Sequence, residues 1–589
     1  MPRTTLALTS FVSGEFSAKL DGRTDFQKYN TSCKTLENFL VHPQGAATRR
    51  VGTQFIAEIK SSAAKTRLIP FEFSTTQTYI MEFGNNYIRF FKDKGQILSG
   101  GSAYEIATPY ATSELFDIKF AQSADVMYLC HPNHDVRKLS RTGHTSWTLA
   151  TVSFSGSPSP GISGSNNRPS CVSFFEQRLV FANTNNNPQT LFFSKSGDYE
   201  NMTTGTDADD AMIYTIASNQ VNAIQFLKAQ RTLIVGTTGG EFTVSADGTD
   251  AAITPTNIAI KRQSSYGSAN VDAQPAGNAT LFLQRAKRKI RELAYNFDVD
   301  GYQAADMTIL NDTVTTSGVN EMAYQQSPDS ILWCVRDDGV LSGLTYQRAE
   351  QVTAWHRHIL GGAFGTGNAV VESVATISGT LNEDELWVIV KRTINSATKR
   401  YVECFSDFDF DETDSTNFRF LDSHLTYDGS ATTTLSGLSH LEGQSVSILA
   451  DGSAHTNKVV NSGSITLDRS VTKAVVGLSY DSVLQTMRIE GGAAEGTSQG
   501  KTKRISKVVL RLFETVGVKV GPSLTNLETI PFRTTSSPMG TPVSTFLAGD
   551  KEIEFNDDFN SDGFIFVKQD QPLPCSVLAI YPTLVTSDG

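Results

Sequence analysis

Three aspartates alternate with phenylalanines in one short stretch of this chain. Asp407, Asp409 and Asp411 stand at every second position, and Glu412 follows directly. Such spacing of hard oxygen ligands resembles the start of a calcium-binding loop, but that loop needs a glycine at the position that Glu412 fills. The same alternation describes a strand with one wetted and one buried face. We favour the solvated edge strand, and the sequence leaves cation binding by these aspartates open.

Histidines occur in two close pairs that suggest metal ligands. His356 and His358 share one face of a predicted strand, and His131 and His134 are near enough in sequence to approach one another. Neither pair has a neighbouring cysteine or carboxylate set that would complete a tetrahedral zinc site. We therefore expect no metal site and no cofactor.

A basic cluster, Lys287, Arg288, Lys289 and Arg291, falls between two apolar strand-like runs. Grooves that bind single-stranded nucleic acid combine such charges with aromatic side chains on which bases stack, and none is interleaved here. The cluster is typical of a solvated turn or of a salt-bridging interface patch.

The sequence contains no motif of a known catalytic site. It lacks a nucleophile elbow, a phosphate-binding loop, a zinc-protease helix and a dinucleotide fingerprint. Glycosidase carboxylates come from distant strands and leave no local spacing, so Glu72, Glu82, Asp125 and Glu385 are candidates to converge at the axis of a repeat fold. Acidic residues in turns are usually just solvated. We predict no enzymatic activity and no catalytic residue.

Composition indicates a large, β-rich, acidic protein. At 589 residues the chain is too long for a single core, and its 45 glycines and 35 phenylalanines with only 19% charged residues are unlike helical proteins. The net charge of -11 provides no overall positive field for nucleic acid or for an anionic membrane. No apolar run reaches membrane-spanning length, and the N-terminus does not resemble a signal peptide, so we expect folding in the cytoplasm.

The six cysteines are widely scattered, and most lie in apolar strand-like runs without a C-x-x-C pair. Spacing of this kind predicts buried free thiols, not disulfides or metal ligands.

One strand-turn-strand unit recurs about every fifty residues through the middle of the chain. Each copy has an apolar strand, a short polar turn, a second strand of mostly apolar residues, another turn and a third strand. Successive second strands are separated by 47, 53, 54, 48, 50 and 55 residues, which is too regular for unrelated hairpins. The second strands begin at Tyr79, Val126, Leu179, Leu233, Leu281, Ile331 and Leu386.

A period of about fifty residues suits one four-stranded blade of a β-propeller. After residues 341–346, for example, residues 353–360 supply a candidate fourth strand in which Trp355 would pack between blades. A series of β-sandwiches or a β-helix is the competing interpretation, although the irregular spacing argues against the short coils of a helix. We predict a propeller of six blades from residue 118 to residue 405. The copy that begins at Leu68 is either a seventh blade or part of the preceding arm.

The texture of the sequence outside the repeats predicts flanking β domains in a multidomain, all-β protein. We assign residues 1–66 to an N-terminal arm or platform segment, in which residues 34–39 read as a short helix, and residues 67–405 to the propeller. Residues 406–495 form short alternating strands with Gly-containing turns, which fit a small β-barrel or sandwich. Residues 496–589 form a C-terminal β segment that begins with a long amphipathic strand or strand pair and packs with the N-terminal platform.

Residues 10–60, SFVSGEFSAKLDGRTDFQKYNTSCKTLENFLVHPQGAATRRVGTQFIAEIK, carry a resemblance to one protein family. They are similar to the opening of the tail nozzle proteins, of the tail tubular protein B type, of short-tailed bacteriophages (podoviruses). Further similar stretches are TRLIPFEFSTTQTYIMEFGNNYIRFFKD from Thr66, FAQSADVMYLCHP from Phe120, RKLSRTGHTSWTL from Arg137, LEGQSVSILADG from Leu441 and QDQPLPCSVLAIYP from Gln569. The resemblance thus spans nearly the full chain, with loosely similar stretches between these anchors.

The resemblance implies a structural virion protein of the phage tail, assembled in the cytoplasm of the host bacterium. It implies a homo-oligomeric ring, a hexamer, that forms the distal tail tube below an adaptor ring and beside tail fibres or spikes. Genomic DNA would pass through the ring during ejection without specific binding, and the acidic net charge is compatible with that passage. No catalytic residue transfers with the resemblance, and no stable membrane insertion is expected. The alternative function is a carbohydrate-binding or carbohydrate-hydrolysing propeller in a receptor-binding tail component.

Overall fold

A computed structural model of the chain describes residues 3–217, 220–248, 251–379, 383–408, 414–491, 497–533 and 545–587. In these residues nearly all regular structure is β-strand, and the helices are short 3-10 segments of three to six residues. None of these helices is long enough and apolar enough to cross a membrane.

The N-terminal region folds into six strands and two 3-10 helices. The helix expected at residues 34–39 is wrong, because these residues lie mostly in strand β3, whose Cys33 and Leu36 are buried in a sheet. The strands are β1 (Arg3–Thr5), β2 (Gly14–Glu15), β3 (Ser32–Glu37), β4 (Phe39–Val41), β5 (Ala47–Arg49) and β6 (Thr53–Glu58), with 3-10 helices at Ala18–Leu20 and Gln27–Thr31.

The repeat region forms antiparallel sheets that follow one another along the chain, as the sequence predicts. Its first half has β7 (Arg67–Ser74), β8 (Gln77–Gly84), β9 (Tyr87–Lys92), β10 (Gly95–Gln96), β11 (Leu98–Ser99), β12 (Ser102–Ala103), β13 (Glu105–Ala107), a 3-10 helix at Thr112–Asp117, β14 (Lys119–Ser123), β15 (Val126–His131), β16 (His134–Gly143), β17 (Ser146–Thr151), β18 (Pro169–Phe175), β19 (Arg178–Thr184), β20 (Thr190–Phe193) and β21 (Met212–Thr215). Its second half has β22 (Ile224–Ala229), β23 (Leu233–Thr237), β24 (Gly240–Ala246), β25 (Ile258–Ser264), β26 (Gln274–Ala276), β27 (Ala279–Leu283), β28 (Ile290–Asn296), a 3-10 helix at Phe297–Val299, β29 (Gly301–Asp306), β30 (Val319–Gln325), β31 (Ile331–Arg336), β32 (Leu341–Gln347), β33 (Val352–His358), β34 (Ala363–Phe364), β35 (Gly367–Asn368), β36 (Val370–Ser378), β37 (Asp384–Ile394) and β38 (Ala397–Phe405).

These sheets form a β-propeller, which confirms the predicted fold class, and the described residues make up seven blades. Blade 1 contains β7–β10 and β13, and blades 2 to 6 are β14–β17, β18–β21, β22–β25, β26–β29 and β30–β33. Blade 7 consists of β36, β37, β38 and, as its outer strand, β6 from the N-terminal region. Blades 7 and 1 are adjacent, since the Leu68 N–H donates to Ser373 Oγ at 3.0 Å. The Leu68 copy is therefore a blade, and Thr53–Glu58 lies in the propeller although the sequence analysis assigned it to the arm.

Apolar side chains from neighbouring blades meet in shared cores, which hold the ring together. Trp355 in β33 of blade 6 is 2% exposed and packs with Leu281 and Ile290 of blade 5, as its sequence position predicts. Its Nε1 donates to the Met307 carbonyl oxygen at 2.8 Å. Burial of such a side chain contributes about 1.5–3 kcal/mol or more to stability, so each blade depends on its neighbours.

The segment after the propeller forms five strands, and the long antiparallel pair β39–β42 encloses its own apolar core. This unit continues the sheet of blade 7, because His424 in β39 pairs with Gln54 in β6. The strands are β39 (Asp422–Ser436), β40 (Ser445–Ala450), β41 (Ser453–Val459), β42 (Ser464–Leu478) and β43 (Ser482–Thr486), with 3-10 helices at Ser415–Asn417 and Ser439–Leu441.

The C-terminal strands form two sheets with strands from the N-terminal region, and we call these two sheets the platform. One has the order β4-β5-β49-β44-β47, and the other continues blade 6 through β33-β2-β3-β43-β48-β45-β46. The alternation expected for a long strand or strand pair appears as β44 and β45. The strands are β44 (Thr502–Thr515), β45 (Lys519–Ser523), β46 (Asn526–Thr529), β47 (Phe546–Glu554), β48 (Phe566–Gln569) and β49 (Ser576–Ser587).

All six cysteines are buried and free, which confirms the sequence prediction. Burial raises the pKa of the Cys575 thiol to about 12, and burial raises that of Cys171 to about 12. The thiols therefore stay protonated at neutral pH, and they serve as small apolar groups in the cores.

Candidate functional site

A cavity of about 420 Å³ lies on the axis of the propeller. The first strands of blades 1, 2, 3, 4, 6 and 7 and the residues just before and at the start of β26 in blade 5 contribute to its wall. The ring geometry thus brings together residues that are separated by up to three hundred positions in sequence. Its polar and charged lining residues include Arg67, Lys119, Gln122, Lys228, Asn270, Asp272, Gln274, Asn320 and Glu321.

One side of the cavity wall holds a closed ion pair. Arg67 Nε donates to Glu321 Oε1 at 2.9 Å, and both side chains are 8% exposed. Glu321 Oε2 accepts the Ser373 hydroxyl at 2.6 Å and the Val374 N–H at 3.0 Å. A carboxylate with three donors has little remaining capacity for a ligand, and this pair instead connects residues of blades 1, 6 and 7.

A second carboxylate, Asp272, lies among three cations in the same cavity. Lys119 Nζ is 3.0 Å from its Oδ1, and Arg67 Nη2 is 3.9 Å from its Oδ2. Burial raises the pKa of Asp272, but the charges of Lys119, Arg67 and Lys228 outweigh that effect and hold the pKa below its usual value. Asp272 therefore remains an anion and a hydrogen-bond acceptor at neutral pH.

A wider cavity of about 1000 Å³ opens where the first strands of blades 1, 5, 6 and 7 end. Its wall includes the aromatic rings of Tyr324 and Tyr346 and the carboxylates of Glu72 and Asp384. Glu72 accepts the Ser378 N–H at 3.0 Å, and burial raises its pKa. We call this opening the mouth cavity.

The structure does not bring the four candidate carboxylates together at the axis. Only Glu72 reaches the mouth cavity, and none of the four is among the described residues that line the axial cavity. Glu82 and Glu385 are on the middle strands β8 and β37, where they accept hydrogen bonds from Tyr87 and from Trp387 Nε1. Asp125 in the β14–β15 turn pairs with Arg141 at 2.7 Å. These positions give no catalytic pair.

The proposed cation ligands after β38 are only partly described. Asp409 and Asp411 lie outside the described residues. Asp407 is 40% exposed at its side chain and forms an ion pair with Lys94. In the described part of this stretch, Asp407 thus forms a salt bridge at the propeller surface. Cation binding by the three aspartates stays untested.

The fold brings a carboxylate to the first histidine pair. His131 and His134 face each other across the β15–β16 turn, and ligand atoms of Glu114, His131 and His134 all lie within 4.8 Å of one another. Glu114 Oε2 is 2.9 Å from His134 Nε2 and accepts the Ala111 N–H at 2.9 Å. Although burial raises the pKa of Glu114, the Ala111 and His134 hydrogen bonds hold it at about 2. The sequence analysis missed Glu114, because it precedes the pair by one whole strand.

The hydrogen bonds of this triad favour a fixed turn over a metal centre. His131 is 1% exposed, and its Nδ1 accepts the Asn133 N–H at 3.0 Å. The neutral ring must then carry its hydrogen on Nε2, which has no partner among the described residues. Metal binding through Nε2 requires the opposite tautomer, and binding through Nδ1 requires loss of the Asn133 bond. The triad therefore joins blade 2 to the preceding 3-10 helix.

The second histidine pair is a buried hydrogen-bond chain. The Thr345 hydroxyl donates to the Val41 carbonyl oxygen at 2.9 Å, so its oxygen accepts from His356 Nε2 at 3.1 Å. His356 Nδ1 then accepts from His358 Nε2 at 2.6 Å. Both rings are fully buried, and burial lowers the pKa of His356 to about 3. The pair is neutral and connects blade 6 to β4 of the platform.

Lys287, Arg288 and Lys289 of the basic cluster lie in the β27–β28 turn, as expected, whereas Arg291 lies in strand β28. Lys289 pairs with Asp306 at 2.6 Å, and the Arg291 guanidinium stacks on the Tyr266 ring at 3.4 Å. Lys287 donates to Asn320 Oδ1 at 3.2 Å. Three of the four basic side chains thus contact residues of blade 5, of blade 6 or of the loop that precedes blade 5. These contacts fit a salt-bridged turn.

The charged residues of the axial cavity are the functional candidates that sequence reasoning missed. Each falls in or next to the first strand of a repeat, where Lys119, Lys228 and Asp272 interrupt otherwise apolar or small residues. Aligning the repeats by their first strands would have placed these charges on one inner ring. The strand pattern alone does not show which of them face the axis.

Comparisons with known proteins extend only to solved structures. No protein-family description matches the chain, and no curated protein matches it in sequence. The β-propeller domain of Cps50 (Swd1) from Myceliophteria thermophila is 10% identical, with 60% of this chain and 99% of that chain covered and a TM-score of 0.37. The RRP9 WD40 repeats are 8% identical to this chain, with 61% of this chain and 100% of that chain covered and a TM-score of 0.39. The structure of U3-55K is 8% identical, with 60% of this chain and 100% of that chain covered and a TM-score of 0.37. Because these TM-scores are low, the propeller assignment rests on the sheet order.

Proposed function

We propose that this chain is a tail nozzle subunit of a short-tailed bacteriophage, a structural virion protein that forms an oligomeric ring for DNA ejection. One observation carries the proposal. The segment that resembles the nozzle family, residues 10–60, supplies the buried junction between propeller and platform. Arg49 and Arg50 in that segment are almost fully buried, and Arg50 pairs with Asp422. The resemblance thus falls on residues that determine how the domains are joined.

The dimensions of the propeller support a ring of several copies. An axial cavity of about 420 Å³ has the volume of a small-molecule site and cannot enclose a DNA duplex. A conduit for DNA must therefore be formed between subunits. Contacts between different patches on neighbouring copies generate closed rings when the rotation closes.

Open sheet edges offer contacts for such a ring. Among the strands of the described residues, β47 is the terminal strand of one platform sheet, and β41 is the terminal strand of the sheet that extends blade 7. Leu547 in β47 is 56% exposed, and Val459 in β41 is 62% exposed. Exposed strands with apolar side chains pair readily with another chain. We assign these two edges as the first candidates for subunit contacts.

The purified full-length chain should assemble, alone or with its neighbouring tail proteins, into a ring with a central channel. Mass photometry gives the number of copies, six being expected, and negative-stain imaging shows the channel. Leu547→Lys should weaken the assembly, because a lysine on an edge strand opposes pairing. Leu98→Lys is the matched control, since Leu98 is 54% exposed on a small hairpin of blade 1. A persistent monomer that binds glycans would contradict the proposal.

The mouth cavity favours the second candidate, a carbohydrate-binding propeller. Tyr324 provides partly exposed aromatic surface, whereas Tyr346 is 4% exposed, and Gln326, Gln347 and Asn278 provide amides in the same cavity. Sites for neutral ligands combine such apolar surface with a few polar groups. A glycan array with the wild-type chain and with Tyr324→Ala tests this function. Turnover of a capsule or cell-wall polymer that is lost in Glu72→Gln would instead indicate a hydrolase.

A further inference from the structure

We propose that the axial cavity of the propeller binds inorganic phosphate. The cavity is lined by residues of a single chain, so the inference does not depend on the proposed ring of subunits. It rests on the charged side chains that line the cavity, on the ion pairs that they form, and on one ammonium group that has no partner among the described residues.

The charges of the cavity do not balance. Arg67, Lys119 and Lys228 contribute three positive charges, whereas Asp272 and Glu321 contribute two negative charges. Arg67 and Glu321 neutralise each other at 2.9 Å, and Lys119 and Asp272 do so at 3.0 Å. The ammonium group of Lys228 is the remaining charge.

The Lys228 ammonium group has no hydrogen bond and no ion pair within 4 Å among the described residues, although the Lys228 backbone pairs with Ile234 in the sheet. Its side chain is partly accessible, yet burial lowers its pKa and only the more distant Asp272 raises it. A side chain with both properties faces an enclosed cavity, not bulk solvent. A buried ammonium without a partner is costly, and a bound anion would remove that cost.

The surrounding groups suit a tetrahedral oxyanion. Asn270, Gln274 and Asn320 line the same cavity. Each amide donates one N–H to a protein oxygen and has a second N–H that can donate to a bound oxyanion. Hydrogen bonds from ammonium groups to phosphate are short and strong. The volume of about 420 Å³ admits such an ion together with water.

Asp272 distinguishes phosphate from sulfate. It is an obligate acceptor here, because Lys119 and Arg67 keep it ionised. Phosphate at neutral pH carries at least one P–O–H group that can donate to this carboxylate. Sulfate is fully deprotonated and meets the same carboxylate as a like charge, which is unfavourable. The cavity should therefore prefer phosphate over sulfate and over chloride.

Isothermal titration calorimetry of the full-length chain with sodium phosphate, sodium sulfate and sodium chloride at equal ionic strength and pH 7 tests the proposal. Saturable binding of phosphate, with sulfate at least about tenfold weaker, is expected, since one hydrogen bond to a charged group is worth about that factor. Lys228→Gln should weaken phosphate binding at least about tenfold, and Lys228→Arg should retain most of it.

Two further variants separate the site from general electrostatics. Lys261→Gln removes an exposed lysine of the same blade and should leave binding unchanged. Asp272→Asn should narrow the preference for phosphate over sulfate. Circular dichroism verifies that each variant is folded. If Lys228→Gln does not fold, phosphate binding by Lys228→Arg tests the proposal. Absence of saturable phosphate binding, equal binding of sulfate, or equal loss in the Lys261 variant would overturn the proposal.

Discussion

Arg50 and Asp422 form a bidentate ion pair that is fully buried. Arg50 Nη1 and Nη2 donate to Asp422 Oδ1 and Oδ2 at 2.8 and 2.7 Å, and both side chains are 0% exposed. Asp422 also accepts the N–H groups of Thr53 and Gly361. The pair thus joins the N-terminal region, the loop after blade 6 and the unit that begins at β39.

Replacement of Arg50 by alanine should lower the free energy of unfolding by about 3–5 kcal/mol, because it leaves the Asp422 carboxylate buried without its partner. Urea unfolding monitored by circular dichroism measures the change. Arg511→Ala is the control: Arg511 and Asp550 also form a bidentate pair, through Nε and Nη2, but their side chains are 48% and 45% exposed. That variant should have almost wild-type stability, and equal losses in the two variants would contradict the assignment.

The buried histidine pair predicts a loss of stability in acid. Burial lowers the folded-state pKa of His356 to about 3 and that of His358 well below its usual value, whereas an unfolded histidine titrates near 6.5. The unfolded chain therefore binds more protons in this range, and stability is complete above pH 6.5 and falls towards pH 3. His358→Asn should flatten that decline in urea unfolding at pH 7.5, 6 and 5. His144→Gln, at an exposed histidine, should not.

Glu82 predicts the opposite pH dependence. Burial raises its pKa from 4.5 to about 7 despite the hydrogen bond from the Tyr87 hydroxyl. The folded state holds the proton more tightly, so the contribution of Glu82 is complete below pH 4.5 and declines by up to about 3 kcal/mol as the pH rises to 7. Glu82→Gln should remove this decline and make the protein more stable than wild type at pH 8. If the melting temperature of Glu82→Gln fell between pH 5 and pH 8 as steeply as that of the wild type, this prediction would be refuted.

Gly52 predicts a strong steric effect at the same junction as Arg50. A Cβ at this position would lie 1.8 Å from the Leu421 carbonyl oxygen, which belongs to the backbone and cannot easily move. Gly52→Ala should therefore yield little soluble protein or a clearly lowered melting temperature. At Gly22 nothing lies within 4 Å of a Cβ, so Gly22→Ala should be neutral or slightly stabilising.

The sequence by itself determined the repeat and its strands. Second strands such as those at Leu233 and Ile331 begin where their apolar runs predict, and Trp355 packs between blades, because strand periodicity and turn residues are local properties of the chain. The same local reading placed the basic cluster in a turn and the cysteines in the cores.

Only the tertiary structure decided which distant residues meet. It assigned Thr53–Glu58 to blade 7, brought Glu114 to His131 and His134, and placed Lys228 and Asp272 in the wall of one axial cavity. Closure of a ring pairs segments hundreds of residues apart, and no periodicity within one segment encodes that pairing. The alternating carboxylates, which resemble the start of a calcium-binding loop in the sequence, include Asp407, and Asp407 forms a surface salt bridge with Lys94. The positive charge of Lys228, unpaired among the described residues, lies where the seven blades meet at the axis, so this arrangement arises only when the propeller closes.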